Sequence, residues 1–125
     1  MARILVADDN DDLRVLLEIA LTRDGHVVET VADGAAALSA CSTNDHDLAV
    51  LDIMMPLMSG LEVTERVRAD PAVSMRILLL SALGTSEDRQ RGYDVGANDY
   101  MTKPFGLVDL VDRVRGLVGD ELSTA

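Results

Sequence analysis

Five short strand-like segments alternate with five helix-like segments along the whole chain, and this alternation is the feature that most restricts the fold. Arg3–Ala7, Leu48–Asp52 and Ile77–Ser81 are nearly continuous apolar runs, typical of strands buried within a parallel sheet. His26–Val31 and Asp99–Thr102 are more polar, which indicates edge strands. The alternation predicts a parallel sheet covered by helices on both faces, which is a three-layer α/β sandwich.

The segments between the strands have the apolar spacing of amphipathic helices. The second helix is predicted to begin at Asp33-Gly34, and the third to span Gly60–Ala69. The fourth, about Ser86–Val95, carries almost no apolar residues, so it is predicted to be the most easily displaced element. The residues predicted to face inward are Leu13, Leu16, Leu17, Ala20 and Leu21 on the first helix, Leu38 and Cys41 on the second, and Leu107, Leu110, Val111, Val114, Leu117 and Val118 on the last.

The positions of the edge strands predict how the sheet is ordered. With strands two and five at the edges and right-handed crossovers, the expected order is 2-1-3-4-5. In such sheets a ligand binds outside the carboxyl ends of the strands, at the point where the order reverses. We therefore expect the functional site between the ends of strands one and three.

The length and charge of the chain restrict its class. A chain of 125 residues suits one domain, which we assign to residues 1–119, with residues 120–125 as a polar tail or the start of a linker. The net charge of −11 should repel nucleic acid and anionic membranes. Cys41 is the only cysteine, and the apolar run at the N-terminus is too short for a signal peptide, so we expect a cytoplasmic protein.

Polar side chains stand at the carboxyl ends of the strands. Asp8 and Asp9 follow the first strand, Asp52 ends the third, Ser81 ends the fourth and Lys103 follows the fifth. Because these ends share one edge of the sheet, three carboxylates, a hydroxyl and an ammonium should converge. Crowded carboxylates either raise their pKa values or bind a cation, and an oxygen-only ligand set favours Mg²⁺.

Each of these residues also has a simpler explanation when it is taken alone. Asp11 and Asp12 are expected to cap the first helix and to interact with its dipole, and Asp8 and Asp9 could do the same. Lys103 alone is typical of a solvated surface charge, and Ser81 of a strand-end hydroxyl bonded to the backbone. Only the convergence favours a functional site.

The motifs, in order and in separation, resemble the receiver domain of bacterial two-component response regulators, both the single-domain chemotaxis regulator and the receivers of winged-helix transcription factors. The motifs are Asp8-Asp9, Leu51-Asp52-Ile53-Met54-Met55-Pro56 with Gly60, Ser81-Ala82, and Asp99-Tyr100-Met101-Thr102-Lys103-Pro104-Phe105. The resemblance covers essentially the whole chain. It implies a (βα)5 flavodoxin-like fold.

The resemblance implies a role for each acidic residue. Asp52 would accept a phosphoryl group from the phosphohistidine of a histidine kinase or phosphotransfer protein. Asp9, Asp52 and the backbone carbonyl of Met54 would bind Mg²⁺, with Asp8 acting through a bound water. The domain would be a phospho-acceptor switch that assists its own phosphorylation and dephosphorylation, not an enzyme acting on other substrates.

Further roles follow from the same resemblance. Lys103 would neutralise the phosphoryl oxygens, and Ser81 would hydrogen-bond one of them. Tyr100 matches the aromatic residue that turns inward on switching, although an ordinary edge-strand aromatic is the alternative. The bond between Lys103 and Pro104 is expected to be cis.

The expected output is carried by the fourth helix, the fifth strand and the fifth helix. Arg89, Asp109 and Arg113 partly match a salt-bridge face through which such domains form phosphorylation-dependent homodimers; ordinary solvated charges are the alternative. The partner would be an effector domain or a downstream protein. The input signal, the output and whether the chain is a whole regulator or a part of one stay open.

The lifetime of the phosphorylated form should depend on Met54 and Leu83, two residues past Asp52 and Ser81. Both side chains are apolar, so neither can hold an attacking water, and decay should be slow. The alternative is that they merely cover the loop edge.

Three other functions are alternatives to a phospho-acceptor switch. A flavodoxin-like cofactor binder needs a Ser/Thr/Gly-rich loop after strand one, where this chain has acidic residues. A phosphatase of the haloacid-dehalogenase type needs a second Asp at the position of Met54. A receiver-like module that never accepts phosphate usually lacks part of the acidic set, which is complete here. No Walker-type or Rossmann-type glycine pattern occurs.

Overall fold

A computed structural model describes residues 1–123, with side chains described for residues 1–119. The strands and helices alternate throughout, as predicted. They are β1 (Arg3–Ala7), α1 (Asp11–Arg23), β2 (Val27–Val31), α2 (Gly34–Cys41), β3 (Leu48–Asp52), α3 (Gly60–Ala69), β4 (Arg76–Ser81), α4 (Ser86–Asp94), β5 (Asp99–Thr102) and α5 (Leu107–Ser123).

The five strands form one parallel sheet of order β2-β1-β3-β4-β5, so the predicted order and the (βα)5 flavodoxin-like architecture are confirmed. Alternate side chains of each strand serve opposite faces. Leu5 and Ala7 of β1 pack with α2 and α3, whereas Ile4 and Val6 pack with α1 and α5. This period of two places a separate apolar layer on each side of the sheet.

Four helices begin at a residue whose side chain accepts a hydrogen bond from the backbone. These N-cap residues are Asn10, Asp33, Ser59 and Thr85. Such a cap contributes about 0.5–2 kcal/mol. Asp11 and Asp12 lie in the first turn of α1, where they can interact with its dipole as expected, but the expectation that they cap the helix is wrong. Asn10 takes that position, because its backbone is extended while both aspartates are already in the first helical turn.

Two residues predicted to face inward are instead exposed. The exposed fractions are 48% for Leu16 and 36% for Leu107. Both border a groove between α1 and the segment leading into α5. Leu17, Leu110 and Val114 point at the sheet as predicted and are fully buried.

Helix α4 is attached to the sheet by very few apolar contacts. Gly92 is the one residue of this helix that is buried, among the nine described. A reciprocal capping box between Thr85 and Asp88 holds its first turn. The small apolar burial of α4 expected from the sequence is therefore confirmed, and its easy displacement stays a prediction.

At the chain end, the α5 backbone continues to Ser123. The side chains of residues 120–125, the predicted polar tail, lie outside the described part of the chain, so the tail stays a prediction. None of the described helices has the length and apolar character to cross a membrane.

Candidate functional site

Three carboxylates meet at the carboxyl edge of the sheet. One oxygen from each of Asp8, Asp9 and Asp52 lies within 4.8 Å of the other two. The cause is the register of the sheet, because Ala7 of β1 lies opposite Leu51 of β3. The residues that follow these two in the chain are Asp8 and Asp52. Asp8 and Asp52 are buried, and Asp9 is exposed. The predicted convergence of the three carboxylates is thus confirmed.

Asp8 is held on both of its carboxylate oxygens. Oδ1 accepts a hydrogen bond of 2.9 Å from the backbone amide of Asn10. Oδ2 accepts one of 3.1 Å from Nζ of Lys103. These two hydrogen bonds restrict the orientation of the fully buried Asp8 carboxylate.

Asp52 is a poorly solvated carboxylate. Burial, followed by the negative charge of Asp8, raises the pKa of Asp52 from 3.8 to about 6. Nζ of Lys103 at 3.3 Å and the backbone amide of Met54 at 3.4 Å act in the opposite direction but do not cancel the shift. An additional cation at this position would favour the ionised form.

The ligand set of the cluster fits a hard divalent cation. The side-chain ligand atoms of the cluster are all carboxylate oxygens. Mg²⁺ typically uses one or two carboxylates and fills its other coordination positions with water and phosphate oxygens. The exposed Asp9 leaves one side of the cluster open to such ligands. Asp8, Asp9 and Asp52 are the residues that could hold the ion.

Two glycines allow the loop after Asp52 to fold tightly. A Cβ on Gly60 would lie 2.5 Å from the backbone oxygen of Asp52, and a Cβ on Gly34 would lie 1.8 Å from that of Met58. Gly34 also donates a backbone hydrogen bond of 3.1 Å to Pro56. Gly60 belongs to the motif found in the sequence. The contact of Gly34 with this loop was missed, because its only signal was a helix start.

Ser81 and Lys103 lie together at the ends of β4 and β5. The Lys103 amide donates a hydrogen bond of 2.8 Å to the carbonyl of Ser81. The buried Ser81 hydroxyl accepts one of 3.0 Å from the amide of Leu83. The peptide bond between Lys103 and Pro104 is cis, as expected.

Tyr100 lies inside the protein. Its side chain is fully buried, and its hydroxyl donates a hydrogen bond of 2.6 Å to the carbonyl of Leu83. Leu83 therefore contacts both Ser81 and Tyr100 through its backbone. In this way the β4–α4 loop connects the carboxyl edge of the sheet, where the acidic cluster lies, to the aromatic ring of Tyr100 on β5.

The residues predicted for the output face have different surroundings. Arg89 is half-buried and contacts Tyr100 and Thr102. Arg113 donates hydrogen bonds of 3.0 Å to both oxygens of Asp99 in its own chain. Asp109 is exposed at the start of α5.

One residue near the site was not found from the sequence. Arg14 of α1 donates a hydrogen bond of 2.8 Å to the carbonyl of Asp8 and pairs with Asp11 at 2.5 Å. It holds the β1–α1 loop that carries the acidic residues. The i, i+3 spacing of Arg14 and Asp11 was a signal for the ion pair, but nothing local indicated the contact with Asp8.

The fold, the acidic cluster and the adjoining lysine together define a response-regulator receiver domain. The family model of the response regulator receiver domain matches residues 4–115, and the chain belongs to this family. The resemblance inferred from the sequence motifs is thereby confirmed.

Curated relatives are longer than this chain. The transcriptional regulatory protein TcrA of Mycobacterium tuberculosis is 47% identical over 115 residues, which are 92% of this chain and 45% of TcrA. TctD of Salmonella typhimurium is 45% identical over 116 residues, which are 93% of this chain and 51% of TctD. The chain thus spans about half the length of the curated relatives it matches.

Solved structures of similar domains cover nearly the whole chain. The receiver domain of Francisella response regulator 1452 has a TM-score of 0.91 and 30% identity, covering 97% of this chain and 99% of that chain. The chemotaxis response regulator CheY4 of Vibrio cholerae has a TM-score of 0.88 and 32% identity, covering 94% and 98%. These likenesses extend from the sheet to all five helices.

Proposed function

We propose that Asp52 is the phospho-acceptor of this domain and takes a phosphoryl group from a phosphohistidine in a Mg²⁺-dependent reaction. The observation that carries the proposal is the position of the Asp52 carboxylate, which lies close to two further carboxylates and 3.3 Å from the ammonium of Lys103. A sensor histidine kinase or phosphotransfer protein would supply the group. Membership of the receiver family supports that assignment.

The chemistry follows from these charges. A carboxylate oxygen of Asp52 attacks the phosphorus, the bond from phosphorus to the histidine nitrogen breaks, and the imidazole leaves with the bonding electrons. Asp9, Asp52 and the backbone carbonyl of Met54 would hold Mg²⁺, with Asp8 acting through a water. The bound ion would neutralise negative charge on the phosphoryl group during transfer. Lys103 contributes a second positive charge as a compact ammonium.

Ser81 is suited to bind the phosphoryl group after transfer. Its oxygen accepts a hydrogen bond from the amide of Leu83, which leaves the hydroxyl hydrogen for another acceptor. A bond from Ser81 to a phosphoryl oxygen would move the β4–α4 loop. The carbonyl of Leu83 accepts from Tyr100, so the same loop carries the change to the aromatic ring.

The signal would then leave through α4, β5 and α5. Helix α4 is weakly anchored, so a small change in the loop is enough to displace it. Arg89, Asp109 and Arg113 would form the contact face for an effector domain, a downstream protein or a second copy of the chain. The relatives named as transcriptional regulators support an effector joined to the domain, while the net charge of −11 argues against nucleic acid binding by the domain itself.

We assign the domain to the cytoplasm, where a kinase and Mg²⁺ are available.

The domain would also assist the hydrolysis of its own phosphoaspartate. Met54 and Leu83 are partly exposed apolar side chains two residues past Asp52 and Ser81, which suits shielding of the phosphorus from water.

The test is phosphorylation with acetyl phosphate and Mg²⁺, followed by mass spectrometry of the intact protein and its peptides. We expect one acid-labile phosphoryl group on Asp52, absent in Asp52→Ala and in excess EDTA. Asp9→Asn should lose most labelling because the metal is lost. Asp12→Asn is the matched control, since Asp12 is exposed in the first turn of α1, and it should label normally.

Full labelling of Asp52→Ala, or labelling that is independent of divalent metal, would contradict the proposal. Steady turnover of a phosphomonoester would instead favour the phosphatase alternative. Stoichiometric labelling without such turnover supports a switch.

A further inference from the structure

Arg89 is the side chain through which the weakly anchored helix α4 contacts the buried ring of Tyr100. The Cζ atom of Arg89 lies 5.6 Å from the centroid of that ring. A guanidinium nitrogen of the same residue donates a hydrogen bond of 2.9 Å to Oγ1 of Thr102. One half-buried side chain thus contacts two residues of β5.

Gly92 provides the space that the Tyr100 ring occupies. A Cβ on Gly92 would lie 2.8 Å from Cδ2 and 3.2 Å from Cε2 of Tyr100. Gly92 follows Arg89 by three residues, so both lie on the same face of α4. The ring is therefore packed against the helix backbone at Gly92, with the guanidinium of Arg89 beside it.

The hydroxyl end of the ring is held by a different element. Tyr100 donates its hydrogen bond of 2.6 Å to Leu83, in the loop before α4. The inward position of Tyr100 thus has two kinds of support, namely the carbonyl of that loop and the side of α4 formed by Arg89 and Gly92.

We infer that Arg89 is a positioning residue that keeps Tyr100 inward and, through the same contacts, keeps α4 docked on β5. The inference rests on the proposed function to the extent that Tyr100 acts as the switch residue. A cation over an aromatic face is attracted to it, and the attraction is greater where water is partly excluded. Since α4 buries so little else, loss of the Arg89 contacts releases both the ring and the helix.

The chemistry of arginine suits this position better than that of lysine. The planar guanidinium can lie on a ring while an edge nitrogen donates to Thr102, whereas a lysine ammonium is a point donor on a flexible stem. Arg89→Lys should therefore keep part of the attraction to the ring and lose the combined geometry.

Helix α4 contains a matched control. Arg91 is exposed and borders a groove on the α3 side with Ser59 and Glu62, away from Tyr100. Arg91→Ala removes the same charge from the same helix. It should leave the ring of Tyr100 unaffected.

The experiment is NMR of the full chain labelled with ¹³C at the ring positions of tyrosine. The chain has two tyrosines and no tryptophan, and Tyr93→Phe assigns the signals. A soluble gadolinium chelate relaxes ring protons in proportion to the time they spend exposed. Because Tyr93 lies on α4 itself, each variant is compared with the parent protein at the same chelate concentration.

In Arg89→Ala we expect the relaxation of Tyr100 to rise about fivefold over that in the parent protein, as expected for losing a partly buried cation–ring contact. Arg89→Lys should lie between Arg89→Ala and the parent. Thr102→Val, which removes only the hydrogen bond, should raise it about twofold. Amide hydrogen exchange should become faster in α4 in Arg89→Ala but not in Arg91→Ala.

Unchanged Tyr100 relaxation in Arg89→Ala, or an equal rise in Arg91→Ala, would overturn the inference. Faster exchange across the whole sheet without a specific change at Tyr100 would also overturn it, because it would indicate general destabilisation. The NMR measurement uses no phosphodonor, so its result would stand even if Asp52 were not phosphorylated in the test of the proposed function. Normal labelling with an unchanged ring would reject only the role of Arg89.

Discussion

The ammonium nitrogen of Lys103 lies 3.3 Å from Oδ1 of Asp52. The same nitrogen lies 3.1 Å from Oδ2 of Asp8, so two buried carboxylates share one ammonium group. Lys103 is the only lysine of the chain. Because burial and the charge of Asp8 outweigh the effect of Lys103, the pKa of Asp52 is raised to about 6.

The raised pKa of Asp52 predicts how Asp52→Asn changes stability with pH. A carboxyl whose pKa is higher in the folded state contributes stability that is complete below about pH 4 and is lost as the pH rises through about 6. Ionised Asp52 therefore costs the folded state about 1–3 kcal/mol at pH 7. In EDTA, Asp52→Asn should raise the free energy of unfolding by about that amount at pH 7.

Urea denaturation at pH 7, 5.5 and 4 measures this effect. The gain should shrink steadily towards pH 4, where Asp52 is protonated in the folded state. Asp12→Asn is the control and should show no comparable gain at pH 7. A gain that grew on acidification would contradict the assigned direction of the pKa shift.

The apolar residues beside Asp52, the proposed phospho-acceptor, predict a slow loss of the phosphoryl group. The exposed fractions are 63% for Met54 and 45% for Leu83, and neither side chain can orient an attacking water through a strong hydrogen bond. Met54→Asn combined with Leu83→Glu should speed the decay of phosphorylated Asp52 about tenfold or more, which is about 1.4 kcal/mol in the barrier.

The decay is followed by intact-protein mass spectrometry in Mg²⁺ after the donor has been removed. Leu57→Asn is a suitable control, because Leu57 is the more exposed residue on the same loop and lies outside the pair. If the double variant decays no faster than the parent, Met54 and Leu83 merely cover the loop edge.

Helix α4 is predicted to respond to a phosphoryl mimic more than the other helices. It is held by its capping box, Gly92 and Arg89, so its opening free energy should be low. Beryllofluoride with Mg²⁺ should change amide hydrogen exchange in α4, in the preceding loop and in β5. A change confined to α2 and α3 would argue for a different route, and Asp52→Ala, treated identically, should show no change.

Arg68 should be far more important for stability than its neighbour Arg66. Arg68 donates hydrogen bonds to the carbonyls of Gly96 at 2.8 Å and Met75 at 2.7 Å and to the side chain of Asn98 at 2.8 Å. Arg68→Ala leaves three acceptors without these donors and should cost about 2–4 kcal/mol.

Arg66 is the matched control on the same helix. It pairs with Glu62 at 3.0 Å across one helical turn and is mostly exposed, so Arg66→Ala should cost about 0.5 kcal/mol or less. Chemical denaturation of both variants gives the comparison. Equal costs would mean that the Arg68 contacts contribute little.

Much of the architecture was predictable because it depends on local patterns. The strand order could be predicted from the polarity of the strands, since burial on both faces demands apolar residues throughout. The apolar strands are β1, β3 and β4, and the more polar ones are β2 and β5. The errors fell where neighbouring elements decide the outcome. Asn10 rather than Asp11 caps α1. Leu16 is exposed although it belongs to the same apolar helical pattern as the buried Leu17.

Local order along the chain was enough to predict which chemical groups reach the carboxyl edge of the sheet, because each group follows a strand whose direction is set by the alternation of strands and helices. The distances between these groups depend instead on tertiary packing. The contact of Lys103 with Asp52, the inward position of Tyr100 and the position of Arg89 over its ring join residues from different elements. Such contacts depend on how closely whole helices and strands pack, and no local pattern in the chain encodes that separation.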